Sequence, residues 1–373
     1  LEDDLKIAVW VSKNDEKITK FQVIEKSSGK TVYSGNDITF TGKQPAFVSS
    51  ARLNFSRFKT PGTYVLQVGD AVSVTFRIGN EVYAGAADIP LKYMRQQRCG
   101  YNPFLKDSCH TRDGISVGDP EGKRDGKYYN TIGGWHDASD YLQYVTTSAN
   151  AVYQMLFAYT QYPQSFGDKY DANGNEGANS IPDILDEAKW GLDWLVKMNP
   201  DKDTYFNQLA DDRDHVGMTI PSEQKVDYGW GTGNARPVYF CSPKPQGLRQ
   251  YKNRSTGLAS TLGKYASSFS LGSKVLAKYY PEFSQLIAQK AKDAYQKGME
   301  NPGVCQTACT VSPYFYEEDN WADDMQLAAT EIFSLNKSME TLSQAVNYGR
   351  LEPVTPWMGA DSARHYQWYP FIN

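Results

Sequence analysis

The stretch GGWHDASDY at residues 133–141 sets Asp137 and Asp140 three positions apart, behind two glycines, Trp135 and His136. On the first turn of a helix two such aspartates share a face, and the helix N-terminus favours their ionised forms. A pair of this kind can orient one water molecule, with one carboxylate as general base and the other as its positioner. The same spacing also describes a helix cap followed by a first-turn acid, so spacing alone leaves both readings open. Gly133, Gly134 and Trp135 add a tight aromatic-walled approach that capping does not require.

Metal-binding side chains stand beside the pair. The segment CGYNPFLKDSCH supplies Cys99, Cys109 and His110, and His136 immediately precedes Asp137. Two thiolates and two imidazoles make a closed tetrahedral zinc set, which is structural because no coordination position remains for an activated water. The alternative is a Cys99–Cys109 disulfide with unrelated histidines. Further along, EEDNWADDMQL gathers Glu317, Glu318, Asp319, Asp323 and Asp324 around Trp321. Hard cations such as calcium favour oxygen clusters of that kind, and a solvated acidic helix start has the same composition. Trp135, Trp230, Trp357 and Tyr316 are the aromatic candidates for stacking on a sugar, although packing is the ordinary fate of a tryptophan.

The elements that must position these groups fall into two regions of the 373-residue chain. Residues 1–80 carry short alternating runs, IAVWV, FQVI, YVLQV and VSVTFRI, separated by SSGK, SGND and TPGT. Period-two alternation with frequent turns predicts a small antiparallel sandwich. From residue 84 to 373 the period becomes helical, with amphipathic segments at 145–159, 180–198, 260–280, 281–299, 321–335 and 338–348. Ser180 precedes Asp183 at capping-box spacing. Long loops at 100–135, 164–180, 200–258 and 300–320 interrupt the helices, and loops of such length are commonly functional. A net charge of −4 with mixed signs gives no basic stripe and excludes a nucleic-acid binder. No apolar run is long enough to span a membrane, and residues 1–20 lack the order of a signal peptide. The 26 tyrosines and 8 tryptophans supply many flat faces with polar edges, which suit sugar rings and ordinary cores alike.

Together GGWHDASDY, LDEAKWGLDWLVKMN, PQGLRQYKNRSTG, YEEDNWADDMQLAA and PWMGADSARHYQWYPFIN resemble glycoside hydrolase family 9 with an N-terminal immunoglobulin-like domain, in particular the Bacteroidetes-type β-glucanases. The resemblance covers nearly the whole chain. It implies a multidomain fold: an all-β immunoglobulin-like sandwich, then an all-α (α/α)6 barrel. About eight helices are readable where that barrel has twelve, so the barrel is expected to be incomplete. The implied activity is endo-acting, inverting hydrolysis of β-1,4-glucans, whether cellulose-type, mixed-linkage or xyloglucan. Asp140 matches the catalytic base and Asp137 the residue that helps hold the water. An inverting acid and base stand about 6.5–9.5 Å apart, so this close pair is a base with its assistant. The resemblance also implies structural zinc on Cys99, Cys109, His110 and His136, and calcium near Asp319, Asn320, Asp323, Asp324 and Asp361. Its general acid is a glutamate downstream of the segment matching PWMGAD, expected beyond Asn373. The implied partner is a β-glucan met by an exported protein. The competing expectation is a non-catalytic glycan-binding protein that keeps the cleft without the hydrolysis.

Overall fold

The computed structural model describes residues 1–352 apart from 139, 216, 234 and 312–315. The chain divides into two compact units, Leu1–Ala86 and a second beginning at Ala87. In the first, β1 (Ile7–Ser12), β5 (Ser49–Asn54) and β4 (Ile38–Phe40) form one sheet in the order β1-β5-β4. The other holds β3 (Thr31–Gly35), β2 (Phe21–Glu25) and β6 (Gly62–Val68), with β7 (Ala71–Val72) and β8 (Phe76–Ile78) both paired to β6. Every pairing is antiparallel, with Val23 opposite Leu66 and Trp10 opposite Ala51. Alternate residues turn inward, and Phe21, Val23, Ala51, Leu53, Tyr64, Leu66 and Ile78 close a single apolar core between the sheets. The Tyr64 hydroxyl donates back to the carbonyls of Thr60 and Pro61, both at 3.1 Å, pinning the corner before β6.

The described residues of the second unit hold seven α-helices: α1 (Asp88–Gln96), α2 (Val145–Gln161), α3 (Asp183–Met198), α4 (Ala259–Val275), α5 (Pro281–Glu300), α6 (Ala322–Asn336) and α7 (Met339–Leu351). Their neighbours follow chain order, α2 with α3, α4 with α5 and α6 with α7, while α4 adjoins both α2 and α6. The central α4 is buried along nearly its whole length. Its many serines, glycines and alanines let the flanking helices approach closely, and Phe269, Leu271, Leu192 and Ile287 fill the gaps of one continuous core.

Two local expectations give way. Asp137 and Asp140 do not sit on a first helical turn: α2 starts at Val145, and the two-residue strand β12 (Gln143–Tyr144) intervenes. The Asp137 N–H donates instead to the Leu142 carbonyl at 2.8 Å, closing a tight loop that holds both carboxylates off the helix. Nor does Ser180 cap α3. It has a left-handed backbone with φ of 70°, its N–H donates to Asp168, and Pro182 occupies the cap position. Asp183 turns its carboxylate back to the N–H groups of Lys169 and Tyr170, at 3.0 and 2.9 Å.

The long loops conceal sheet structure. β9 (Gly100–Asn102) and β10 (Asp107–Cys109) make a hairpin, and β11 (Ile115–Val117), β14 (Pro237–Phe240), β13 (Phe206–Leu209) and β12 form a four-stranded sheet in that order. Only the β11–β14 pairing is parallel. These strands run two to four residues and β12, β13 and β14 are buried throughout, so they offer no alternation to read.

Candidate active site and metal centre

One face of α3 builds the platform. Glu187, Trp190, Gly191 and Trp194 recur at i, i+3, i+4 and i+7, the spacing of neighbours on a helix surface. The Trp194 indole donates to the Thr131 carbonyl at 3.1 Å and Trp190 to the Gly134 carbonyl at 2.9 Å. Glu187 Oε1 accepts from the Trp135 indole at 2.7 Å. Gly134 has φ of 74°, and a side chain there would stand 2.7 Å from the Trp194 ring. At Gly191 an added Cβ would meet the Trp135 ring at 2.2 Å. Arg98 completes the platform, bonding Glu187 at 2.7 and 3.2 Å and lying over Trp190, with both members of the ion pair only 1% exposed. Trp135 is therefore a core residue with 3% exposure and a satisfied indole, not the sugar-stacking surface expected of it.

Laid on that platform, the loop delivers His136 to Cys99, Cys109 and His110. The four ligand atoms lie within 4.8 Å of one another, the one such cluster of three or more metal-ligating side chains among the described residues. Cys99 Sγ is 3.9 Å from Cys109 Sγ and 3.6 Å from His110 Nδ1, and Cys109 Sγ is 3.7 Å from His136 Nε2. A tetrahedral zinc with Zn–S of about 2.3 Å and Zn–N of about 2.0 Å needs ligand atoms roughly 3.3–3.8 Å apart. A disulfide needs its sulfurs at about 2.05 Å, and both cysteines are free. The donor set thus fits a four-ligand metal and not a disulfide. Around it, Arg236 donates to Cys99 Sγ at 3.4 Å, pairs with Asp113 at 2.7 Å and holds Gln143 Oε1 at 2.7 Å. Burial pushes the Cys99 thiol up against the pull of the Arg236 charge, whereas the hydrogen bond with Cys99, helped by Arg236, draws the Cys109 thiol down against its burial. His110 Nε2 meets Gln224 Oε1 at 2.7 Å, the outer hydrogen bond that fixes a ligand's tautomer.

The aspartates occupy different environments. Asp137 Oδ1 accepts from Thr147 at 2.9 Å and Oδ2 from the Tyr316 hydroxyl at 3.0 Å. Burial pushes its carboxyl above the usual carboxylate range, the hydrogen bonds from Thr147 and Tyr316 pull it back, and the charge of Asp140 adds to the upward push. Asp140 Oδ2 lies 2.7 Å from His215 Nε2. Its Oδ1 is buried with no hydrogen-bond partner among the described residues, and the side chain is 10% exposed. The imidazole comes from the turn after a 3-10 helix at Asp212–Asp214, 75 residues away in the chain. Periodicity and local motif gave no signal for His215, and the same holds for Thr147, Gln224 and Arg236.

The other sequence candidates separate. Tyr316 is at the aspartates, its ring edge-on to Tyr144 at 4.9 Å. Trp230 is half-buried in a small apolar cluster with Leu142, Tyr144, Ala210 and Tyr228. Trp357 and Asp361 lie outside the described residues. Among the described residues the acidic segment does not converge on a cation as expected. Lys264 takes Glu318 at 2.6 Å and Asp324 at 2.5 Å, Asp319 faces Arg254 at 3.7 Å, Asn320 bonds Glu352, and Asp323 is exposed. Burial pushes the Asp324 carboxyl up to about 8 against the pull of Lys264, so this ammonium already supplies the positive charge a calcium ion would bring.

In chain order, a β-sandwich unit is followed by a unit of paired helices whose loops set two aspartates beside a cluster of two cysteines and two histidines. The chain belongs to glycosyl hydrolase family 9, whose model matches residues 83–369, and residues 1–73 match the cellulase N-terminal ig-like domain. The fold is accordingly an immunoglobulin-like domain followed by an (α/α)6-type domain. Among its relatives is endoglucanase D of Acetivibrio thermocellus, 25% identical over 328 residues, covering 83% of this chain and 47% of that protein. A xyloglucan-specific endo-beta-1,4-glucanase of Bacteroides ovatus is 25% identical over 302 residues, with 77% and 46% covered. The chain thus spans less than half the length of these curated relatives. In structure it is similar to a metagenome-derived family 9 endoglucanase, at TM-score 0.73 and 26% identity, covering 95% of this chain and 64% of that one. It also shares the fold of a Zn-binding triple mutant of endoglucanase J30, at TM-score 0.70 and 23% identity over 93% and 62%.

Proposed function

We propose that the protein hydrolyses β-1,4-glucans from within the chain and with inversion, Asp140 serving as general base and Asp137 as the residue that orients the attacking water. The observation that carries this reading is the asymmetry of the pair. Both Asp137 oxygens are committed to Thr147 and Tyr316, whereas Asp140 keeps Oδ1 as a buried acceptor without a donor among the described residues. An unpaired buried acceptor costs about 1–3 kcal/mol, and a base must keep such a lone pair for the proton it removes. His215 holds Oδ2 and so fixes the direction in which Oδ1 points. Water that loses its proton to Asp140 attacks the anomeric carbon opposite the leaving oxygen, and that oxygen takes its proton from a general acid outside the described residues.

Cys99, Cys109, His110 and His136 would hold a zinc ion, which supplies structural cross-linking of the loop and no open position for chemistry. The expected substrates are cellulose-type, mixed-linkage and xyloglucan backbones, and a polymer of that size implies an exported protein. No helix among the described residues is long and apolar enough to cross a membrane. Proton NMR of cello-oligosaccharide hydrolysis by the full-length protein tests the reading. The α-anomer is expected to appear first. Initial β-anomer would overturn inversion, and saturable binding with no turnover would favour a glycan-binding protein.

A further inference from the structure

Gln224 stands between the metal quartet and the turn that carries His215. Its Oε1 meets His110 Nε2 at 2.7 Å, and its Nε2 donates to Asp214 Oδ1. The chemistry of the partners fixes the direction of this relay. His110 presents Nδ1 to the quartet, 3.6 Å from Cys99 Sγ, and a metal on Nδ1 leaves the ring proton on Nε2. That proton needs an acceptor, so the carbonyl end of Gln224 turns toward His110 and the NH2 end toward Asp214, which as a carboxylate only accepts.

Beyond Asp214 the contacts become reciprocal. Asp214 Oδ2 accepts from the N–H of Tyr141 at 2.8 Å, the residue after Asp140. His215, the residue after Asp214, holds Asp140 Oδ2 at 2.7 Å. Segments 140–141 and 214–215 therefore clasp each other through two hydrogen bonds, and Gln224 braces the second segment from the metal side. Asp214 is only 2% exposed, and burial pushes its carboxyl up, so each donor it keeps matters to its ionised form.

We propose that Gln224 is a positioning residue that couples metal occupancy to the general base: metal on His110 sets the Gln224 amide, which holds the Asp214–His215 turn and through it the Asp140 carboxylate. Without the metal, His110 can carry its proton on Nδ1 and offer a bare Nε2. The Gln224 carbonyl then faces no donor, and rotation of the side chain away from this position releases its hold on the Asp214–His215 turn. A cavity of about 250 Å³ lined in part by His110, Pro221, Gln224, Tyr228 and Arg236 gives the side chain room for that rotation. This inference rests on Asp140 as the base for its functional meaning, but its test is made without sugar. A failure of the glucanase reading and a failure of the relay therefore show in different experiments.

The test uses the protein chelated and then reloaded with zinc chloride, with zinc affinity and exchange of the His215 ring N–H proton read by nitrogen-15 NMR. In the parent protein, removing zinc is expected to speed that exchange about tenfold, the change that loss of one hydrogen bond brings. Gln224→Met lacks both bonds: zinc affinity is expected to fall about tenfold, and the ring proton to exchange about tenfold faster even at saturating zinc. Gln224→Glu keeps the acceptor for His110 and loses the donor to Asp214. Zinc affinity should then stay within about threefold of the parent while the ring proton still exchanges faster. A merely structural glutamine would move both readouts together. The relay is overturned if the ring proton is unaffected by either variant at saturating zinc, if zinc removal leaves it unchanged in the parent, or if the protein takes up no zinc.

Discussion

Replacing Glu187 by Leu tests what holds the active-site loop in place. Glu187 and Arg98 are each 1% exposed, joined at 2.7 and 3.2 Å, and Glu187 also accepts the Trp135 indole at 2.7 Å. Removing the carboxylate strands a buried guanidinium, which costs about 3–5 kcal/mol, and leaves an indole N–H without its acceptor, about 1–3 kcal/mol more. The two losses share one neighbourhood and overlap, so about 4–6 kcal/mol is expected in total. In a unit of this size each kcal/mol lowers the melting temperature by about 2 °C, giving a fall of about 8–12 °C in differential scanning calorimetry. The double variant Arg98→Met with Glu187→Leu removes the stranded charge and should recover most of the ion-pair part, leaving about 1–3 kcal/mol lost. A single-variant fall below about 2 °C, or a double variant worse than Glu187→Leu alone, would refute the view that this buried pair anchors Trp135 and the loop behind it.

Gly191→Ala should cost about 1–3 kcal/mol by overpacking, because its new methyl group points into the Trp135 ring; an unchanged melting temperature would contradict that contact. Elemental analysis of the purified protein should give about one zinc per chain, and Cys109→Ser should lose it together with thermal stability. Since the folded pKa of Asp137 lies above its unfolded value, the native state holds its proton longer, and this group's contribution to stability falls as pH rises from the ordinary carboxylate range through the folded pKa. Asp137→Asn should lack that part of the decline in melts taken across acid to neutral pH; identical pH profiles would remove the inference. Tyr316→Phe takes one hydrogen bond from Asp137 and should lower turnover with little change in melting temperature.

The helices were legible because their apolar residues recur on one side. α3 places Ile184, Leu185, Ala188, Leu192 and Leu195 in the core, while Glu187, Trp190 and Trp194 grip the loop. The cysteines and histidines of the cluster stand out in the sequence because both residue types are rare, although only the fold brings the four ligand atoms together and holds the two sulfurs 3.9 Å apart, beyond disulfide length. The four-stranded sheet was not, since strands of two to four residues buried on both sides leave no period. Trp135 was misread because composition shows an aromatic face but not the Glu187 acceptor that draws the indole inward. In the acidic segment the pairing of Glu318 and Asp324 with Lys264, some 60 residues from Asp324 in sequence, is likewise made by the fold and has no local signal. His215 lay beyond any local pattern, for its meeting with Asp140 is made by the fold alone.

The most direct measurement is hydrolysis of β-cellobiosyl fluoride by the parent protein and by Asp140→Asn, each shown to be folded and zinc-loaded. Fluoride leaves with little help from a general acid, so the rate reports the water-activating carboxylate. Release of fluoride with α-cellobiose as first product, reduced about a thousandfold in the variant, is the expected result. Hydrolysis that survives Asp140→Asn undiminished would contradict the assignment of Asp140 as the base.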